Sequence, residues 1–392
     1  MREIRADLVL NHCKWDPQVG DRSTLFAQPL LLDATAWRDL SHWSELLGAE
    51  ISQAEAELSR RPDLQQELGL PHSLRRVLTR GTQEGFTPSA VRVMRFDFHL
   101  TTDGWRVSEV NSDVPGGFTE ASRFTQLMAR QYPRARVAGD PLAEWTRLML
   151  LVARRDGAVA FLSAAGYLED QQVTALLASA LCQHGIDVRL LHRPGQLKWR
   201  SGFAQLAACG TPVSAIVRFY QGEWICQLKR SAWEGLFIGG GTPVSNHGLA
   251  VLTESKRLPL LWDSLETDMK TCRALFAASG NPRDLTWQAS DDWVVKAAFC
   301  CTGDSVAMRD RSSRAQWAKL CHEVSRRSER WVLQRRFSTV PVDSAVGPVF
   351  PCVGVYVLNG KVAGAYARVA TDQVVDHRAM DAALLVVDAN AA

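Results

Sequence analysis

The sequence lacks the features that mark membrane-spanning, secreted and nucleic-acid-binding proteins. Its longest apolar runs are far shorter than the roughly 18 residues that a membrane-spanning helix needs, and its N-terminus shows no signal-peptide pattern. Nine cysteines are scattered without a C-x-x-C pair, which indicates reduced thiols and predicts a cytoplasmic protein. The formal net charge of +3 is too small to indicate nucleic acid or a membrane surface as a partner.

Common nucleotide-binding and catalytic motifs are missing as well. The glycine run at 239–241 is not followed by G-K-[ST], so a connection between domains is the better interpretation of it. The turn at 164–167 follows a predicted strand but lacks G-x-G-x-x-G, so we do not predict a dinucleotide site there. No Ser–His or Cys–His pair is identifiable as a nucleophile with its base.

The composition is that of a globular α/β protein. With 392 residues, of which 46% are hydrophobic and 22% charged, the chain is long enough for two or three lobes. Apolar periodicity predicts helices over 34–60, 119–132, 141–154, 170–184 and 312–328. Apolar runs predict strands over 157–163, 186–191 and 214–219. The order of strand, helix and strand from residue 157 onward predicts a Rossmann-like half-domain.

The most informative stretch is a predicted hairpin early in the chain. Residues 91–99 alternate between two faces, one of them apolar, as in a half-buried strand, and residues 105–111 form the second strand. Between them lies Thr102-Asp103-Gly104, and a three-residue loop favours glycine at its third position because the backbone there has a positive φ.

This loop fixes which polar side chains face one another. It places Asp97 opposite Glu109 and Arg95 opposite Asn111, all on one face. A two-residue Asp-Gly loop would instead bring Asp97 opposite Val110. We favour the first register because it keeps the apolar residues of the first strand away from the polar face.

Two opposed carboxylates repel each other unless one is protonated or a cation lies between them. The oxygen atoms of Asp97, Glu109 and Asn111 are hard ligands of the kind that Mg²⁺ prefers. Arg95 is not a metal ligand, but it is suited to hold a phosphate or carboxylate that the metal also touches. The residues alone are equally compatible with an exposed hairpin face that carries ordinary ion pairs.

The motif R-x-D, followed by E-x-N with its Glu twelve residues after the Asp, resembles the magnesium site of the glutathionylspermidine synthase family, a circularly permuted ATP-grasp group. The resemblance implies that Asp97, Glu109 and Asn111 bind Mg²⁺ and that Arg95 contacts the transferred phosphoryl group. It also implies that the acid substrate touches Ser112 and Asp113. The Pro-Gly-Gly turn at 115–117 departs from the serine-rich turn expected for glutathione.

The second half of the chain supplies the other motifs of the resemblance. A long helix is predicted to begin near Lys256, and Lys296 lies inside the apolar strand 292–298, before a glycine-bearing loop. The resemblance implies that the residues that contact ATP are Lys256, Lys296, Gly303 of the loop, Gln334 at the adenine edge and Arg368 at the phosphates. This loop has one glycine where the family usually has two or three, which permits a degraded site. Asn359-Gly360 predicts a further hairpin over 352–369.

The resemblance implies an α/β (α+β) protein with an ATP-grasp fold and a Rossmann-like pre-ATP-grasp domain. We predict three parts: residues 1–150 with the metal hairpin, 151–250 as the Rossmann-like domain, and 251–392 as the nucleotide-binding lobe. The larger members of the family also carry a Cys–His amidase domain, for which this chain has no room, so we expect synthesis only.

The expected activity is an ATP- and Mg²⁺-dependent ligation of a small-molecule or peptide acid to an amine. An acyl phosphate is the expected intermediate, and ADP and phosphate are the expected products. We expect neither nucleic acid nor a membrane as a partner. An ATP-dependent phosphotransferase and a non-catalytic nucleotide-binding protein with a degraded grasp fold remain alternatives.

Overall fold

The structure is a computed structural model that describes residues 1–20, 22–84, 90–238, 240–299 and 306–388, without the side chains of 82–84. Gly303 and the rest of the predicted phosphate loop at 300–305 lie outside these residues. In the described ranges, no helix is both long enough and apolar enough to cross a bilayer.

The α-helices are α1 (Arg2–Asn11), α2 (Ala34–Ser59), α3 (Pro62–Gln65), α4 (His72–Glu84), α5 (Thr125–Ala129), α6 (Pro141–Val152), α7 (Leu168–Cys182), α8 (Gly222–Ile225), α9 (Arg230–Trp233), α10 (Gly235–Ile238), α11 (Ala250–Glu254), α12 (Lys270–Leu275) and α13 (Arg314–Arg326). The strands of the first half are β1 (Gln18–Val19), β2 (Arg22–Ser23), β3 (Leu30–Asp33), β4 (Val93–Thr101), β5 (Gly104–Asn111), β6 (Ala135–Val137), β7 (Ala158–Ser163), β8 (Val188–Leu191), β9 (Leu197–Arg200) and β10 (Phe203–Leu206). Those of the second half are β11 (Val213–Phe219), β12 (Val244–Ser245), β13 (Ser279–Gly280), β14 (Trp293–Ala297), β15 (Val306–Ala307), β16 (Trp331–Arg335), β17 (Phe350–Leu358), β18 (Lys361–Ala370), β19 (Met380–Ala382) and β20 (Leu384–Val387).

A five-stranded antiparallel sheet in the order β19-β18-β17-β4-β5 contains both predicted hairpins. The hairpin β4–β5 forms one edge, and β17 pairs with β4, so the end of the chain completes the sheet that its first third begins. The long helix α2 packs on this sheet with its buried face, which includes Leu40, Leu47 and Ile51. Its first turn is capped by Asp33, whose carboxylate accepts the amide hydrogens of Thr35 and Ala36.

The predicted register of the first hairpin is confirmed, since Asp97 pairs with Glu109 and Arg95 with Asn111. The predicted loop is wrong: Thr101 pairs with Gly104, so the loop has two residues rather than three. A β-bulge after Asp97 restores the register, because the extra residue on one strand moves all later pairs by one position.

A second sheet confirms the Rossmann-like prediction. Strands β12, β11, β7 and β8 lie side by side and all run parallel. The helix α7 crosses from β7 to β8 and buries Val173, Leu177 and Leu181 together with Val159 and Phe161 of the sheet strand β7. This packing buries β7 along its whole length, which is why that strand consists almost entirely of apolar residues.

A third sheet in the order β13-β16-β14-β15 forms the lobe that carries Lys296 and Gln334. A separate apolar cluster of this lobe is rich in tryptophan and includes Trp287, Trp317 and Trp331. The short strand β15 pairs with β14 beside Lys296.

Two predicted helices differ from the structure. The segment after the Pro-Gly-Gly turn begins as a π-helical turn at Thr119–Phe124 and continues as α5; Phe118, not Thr119, is its N-cap. No long helix begins at Lys256, because α11 ends at Glu254 and the chain continues as a 3₁₀ segment, Leu258–Ser264. Pro259 explains the difference, since proline disfavours an α-helical conformation at the residue before it.

We predict that Gly117→Ala destabilises the protein more than Gly104→Ala. Both glycines have nearly the same backbone conformation, with φ of +90° and +89°. A Cβ at residue 104 would meet nothing within 4 Å, whereas a Cβ at residue 117 would lie 2.7 Å from the Oη of Tyr356 and 2.7 Å from the Cζ of Tyr366. Both variants should lose roughly 1–2 kcal/mol from backbone strain, and only Gly117→Ala should lose a further ~1–3 kcal/mol from overpacking.

Urea unfolding of the two variants measures this difference directly. Because their backbone strain is matched, the gap between their free energies of unfolding reports the clash with the two tyrosines. Equal losses in the two variants would contradict the close packing of the Pro-Gly-Gly turn.

Candidate active site

A cavity of about 310 Å³ lies where the hairpin β4–β5, the Rossmann-like sheet and the lobe of β14 and β16 meet. The predicted site residues that line it are Arg95, Glu109, Asn111, Asp113, Lys256, Lys296, Gln334 and Arg368. Asp97 and Ser112 are buried in its wall, with 1% and 0% of their surfaces exposed. The fold thus brings together residues that are up to 273 positions apart in the sequence (Arg95 and Arg368).

Asp97 is the most heavily bonded residue of the site. Arg95 donates two hydrogen bonds to it, from Nε to Oδ1 (2.7 Å) and from a terminal nitrogen to Oδ2 (3.0 Å). Arg368 donates to the same Oδ2 at 3.0 Å, and the side-chain amide of Asn111 donates to it at 3.2 Å. The buried carboxylate is therefore neutralised by two guanidinium groups, and this proximity raises the pKa of both Arg95 and Arg368 against the effect of burial.

Glu109, opposite Asp97, is paired with Lys256 at 3.1 Å. Burial alone would raise the pKa of Glu109, but the charges of Lys256, Lys296 and Arg368 hold that pKa well below its usual range. The carboxylate is ionised at neutral pH. About a quarter of its side chain is exposed (24%), so it is more accessible than Asp97.

Lys296 and Gln334 meet at one backbone oxygen. The ammonium of Lys296 and the side-chain amide of Gln334 both donate to the carbonyl of Ser108, at 3.3 and 3.1 Å. Apolar side chains of Val294, Val306 and Met308 line the cavity beside them. This part of the site therefore combines apolar side chains with one cation, Lys296.

Ser112 and Asp113 form their hydrogen bonds and ion pairs with other residues of the protein. Their backbone amides donate to Glu254 at 2.7 and 2.8 Å. The Asp113 carboxylate forms a buried ion pair with Arg218 and accepts the amide hydrogen of Gly222 at 2.9 Å. The structure thus gives both residues an architectural role, joining the hairpin to the Rossmann-like sheet, and their contact with a substrate remains a prediction.

Sequence reasoning missed the acidic end of the cavity, formed by Asp170, Glu223 and Glu254. Burial raises the pKa of all three carboxyl groups, to about 7 for Glu223 and about 8 for Glu254. One oxygen of Glu223, Oε2, is buried without a hydrogen-bond partner, as is Oε1 of the neighbouring Gln221. A signal was present, since Asp170 lies three and seven positions before apolar residues on the buried face of α7.

Sequence reasoning also missed a cluster that the N-terminal segment contributes to the cavity. The ammonium of Lys14 is 3% exposed and lies 3.0 Å from Asp16, 2.5 Å from Glu120 and 3.2 Å from Asp381. These carboxylates raise the pKa of Lys14 well above its usual value, although burial alone would lower it. No periodicity or motif in this segment distinguishes these residues in the sequence.

His99 is a further cavity residue that the motifs did not indicate. Its Nε2 lies 3.1 Å from the hydroxyl of Ser108, and its ring is 5.4 Å from that of Phe337. Burial lowers its pKa to about 4, so the ring is neutral at physiological pH. It is therefore a polar but uncharged part of the wall.

The donor set of the hairpin fits a magnesium ion that arrives together with phosphate groups. Glu109 and Asn111 line the cavity with hard oxygen ligands, whereas Asp97, which pairs with Glu109 across the hairpin, is 1% exposed and accepts hydrogen bonds from Arg95 and Arg368 at both carboxylate oxygens. The two carboxylates are outnumbered by the cations Arg95, Arg368, Lys256 and Lys296, so phosphate oxygens would balance the excess positive charge. Within the described ranges, no cluster of three or more His, Cys, Asp or Glu forms an all-protein cation cage.

Comparisons with known proteins agree with this architecture. A glutathione synthetase-like effector from Globodera pallida, solved in its apo form, aligns with 93% of this chain and 90% of that chain at 14% identity and a TM-score of 0.63. A putative γ-glutamylcysteine synthetase from Methylobacillus flagellatus KT aligns with 81% of this chain and 84% of that chain at 11% identity, but its TM-score of 0.42 supports no argument. A search of curated proteins finds no match.

This first similarity and a matching family profile together establish the class of fold, a mixed α/β protein of the ATP-grasp type with a Rossmann-like pre-ATP-grasp domain, as predicted. A profile of the glutathionylspermidine synthase pre-ATP-grasp family matches residues 32–384, which is most of the chain. The chain belongs to this family, so the resemblance based on R-x-D and E-x-N is confirmed.

Proposed function

We propose that the protein is an ATP-dependent carboxylate–amine ligase, which forms an amide bond through an acyl phosphate and releases ADP and phosphate. The observation that supports this most is the pairing of Asp97 with Glu109 at the edge of one sheet, with four cations from four segments of the chain around them. Such an arrangement is suited to a phosphate that transfers to an oxygen acceptor.

The proposed reaction has two displacements. A carboxylate oxygen of the acid substrate attacks the γ-phosphate of ATP, the bond to the β-phosphate oxygen breaks, and ADP leaves with the electron pair. The bound ammonium group then loses a proton to solvent, its nitrogen attacks the acyl carbon, phosphate leaves with the electron pair of the broken bond, and a second N–H proton is lost to solvent. No protein nucleophile takes part, which agrees with the absence of a recognisable nucleophile–base pair in the sequence.

The side chains of the cavity have separate proposed roles. Arg95 and Arg368 stabilise charge on the transferred phosphoryl group, while Lys256 and Lys296 hold the other phosphates. Gln334 and the apolar residues of the lobe hold the adenine edge. Asp97, Glu109 and Asn111 would hold Mg²⁺, which neutralises phosphate charge when it is bound.

The acidic end of the cavity is the proposed amine site. Asp170, Glu223 and Glu254 bring three carboxyl groups to one end of the cavity, where burial raises the pKa of each. A protonated amine would place a positive charge beside these carboxyl groups. The unpaired oxygens of Glu223 and Gln221 would accept its N–H groups.

The experiment that tests the proposed function is a screen of acid and amine pairs for release of ADP. Hydroxylamine in place of the amine should trap the acyl phosphate as a hydroxamate of the acid substrate. AMP as the stoichiometric product would overturn the mechanism. A stable phosphorylated product that forms without any amine would favour the phosphotransferase, and nucleotide binding without turnover would favour the non-catalytic alternative.

We predict that Glu223→Gln raises the KM for the amine by about 10- to 100-fold, because a charge-assisted hydrogen bond of about 1.5–3 kcal/mol is lost. The KM for ATP should not change. In the wild type the KM for the amine should rise as the pH falls below about 7, because protonation of Glu223 removes its negative charge.

Glu144→Gln serves as the matched control, since Glu144 is an exposed surface residue paired with Arg147. Initial rates over a range of amine concentrations and pH values measure both effects. If the pH dependence of the amine KM persists in Glu223→Gln, Glu223 does not contact the amine.

A further inference from the structure

A second concave site lies on the helix α4, in a different place from the catalytic cavity. It is a groove of about 430 Å³ between the start of α3 and the face of α4. The two sites share no lining residue. We call it the arginine groove and define it by Gln65, His72, Arg75, Arg76, Thr79 and Arg80.

The groove exists because α4 has two chemically different faces. Positions 72, 75, 76, 79 and 80 follow the spacing of a single helix face, and they hold three arginines and a histidine. The opposite face holds Leu74, Val77 and Leu78, which are buried in the main apolar core. Core packing therefore fixes the helix and holds the arginines together on its outer side.

The positive charge of the groove is not balanced by the protein. None of its lining residues is acidic. Arg80 is paired with Glu234 at 3.2 Å, whereas Arg75 and Arg76 form no ion pair within the described part of the chain. Two guanidinium groups that line one groove without a counter-ion favour an anion with several oxygen atoms, since each guanidinium presents paired N–H donors.

Two buried polar atoms of the groove also lack a partner among the described residues. Gln65 is 1% exposed, and its amide nitrogen donates to the carbonyl of Leu58 at 2.8 Å, but its Oε1 accepts no hydrogen bond. The Nε of Arg75 is likewise buried and unpaired. A buried polar atom without a partner is costly, so both atoms indicate a molecule that completes the groove.

We propose that the arginine groove binds a small phosphorylated compound. Its phosphate oxygens accept hydrogen bonds from Arg75 and Arg76, and a hydroxyl or amino group of the compound donates to Oε1 of Gln65. A small molecule is favoured over a polymer because the three arginines that line the groove lie on one face of a single helix, α4.

Calorimetric titration with pyrophosphate tests the proposal. The catalytic cavity also contains cations, so the wild type should bind two equivalents, and the double variant Arg75→Gln/Arg76→Gln should lose one of them or bind it about 10- to 100-fold more weakly. The control is Arg134→Gln/Arg136→Gln, which removes two exposed arginines elsewhere and should keep both sites. Lys296→Met should weaken only the site in the catalytic cavity.

Unchanged binding in the double variant would overturn the proposal, as would an equal loss in the control, which would indicate non-specific attraction to surface charge. Circular dichroism checks that the double variant is folded. If the double variant does not fold, the single variant Arg76→Glu at an exposed position takes its place. It should also lose one equivalent of bound pyrophosphate and keep the other.

Discussion

Glu109→Gln should abolish Mg²⁺-dependent turnover of ATP and leave the protein folded. The substitution removes the charged oxygen that the proposed metal site needs, while the remaining amide oxygen still accepts a hydrogen bond from Lys256. We expect a rate loss of at least ~10³-fold, comparable to removal of a major charge-stabilising group.

Asp97→Asn provides the comparison, because it should lose both activity and stability. Asp97 is 1% exposed and neutralises Arg95 and Arg368, so its replacement leaves two guanidinium groups without a counter-charge. Breaking a buried pair in this way costs about 3–5 kcal/mol. Rates of ADP release and urea unfolding curves for both variants separate the chemical role from the structural one.

Two outcomes would contradict this account. Full activity of Glu109→Gln would remove the metal-site proposal. A stability of Asp97→Asn equal to that of Glu109→Gln would contradict the buried ion-pair network around Asp97.

The hairpin shows how far the sequence predicts the site. Alternation of residue types was sufficient to place Asp97 opposite Glu109, and the pairing is confirmed. The route to that pairing was wrong, because a two-residue loop and a β-bulge give the same register as a three-residue loop. Periodicity defines the faces of a strand, but a bulge depends on local backbone geometry that residue types do not determine.

The elements that sequence reasoning missed are those defined by tertiary contacts. The acidic end of the cavity brings together Asp170 of α7, Glu223 of α8 and Glu254 at the end of α11. Lys14 acquires its role only when the last strands bring Asp381 to the N-terminal segment. The prediction of a long helix at Lys256 was wrong for a local reason. The spacing of the leucines is helical, but Pro259 lies among them and disfavours an α-helix at the residue before it.

Lys296→Met should weaken the binding of ATP by about 10- to 100-fold without unfolding the lobe, because a charge-assisted contact to phosphate of about 1.5–3 kcal/mol is lost. Lys296 lies in β14 with 7% of its surface exposed, and its neighbours in the strand are apolar. Met occupies a similar volume and has no charge to bury, so the strand should tolerate it.

The hydrogen bonds of this region explain why the fold should survive. The carbonyl of Ser108 loses the ammonium of Lys296 as a donor, but it keeps the side-chain amide of Gln334 at 3.1 Å. The carbonyl of Ser108 is therefore not left without a partner, which would have been the more costly outcome. The free energy of unfolding should change by less than ~1.5 kcal/mol.

The matched control is Lys319→Met, which removes the same charge from an exposed position on α13. Calorimetric titration with ATP in the presence of Mg²⁺ should give the wild-type dissociation constant for this control and a weaker one for Lys296→Met. Unchanged affinity in Lys296→Met would mean that ATP does not contact β14. An equal loss in both variants would mean that the overall charge of the lobe, rather than a contact at Lys296, attracts the nucleotide.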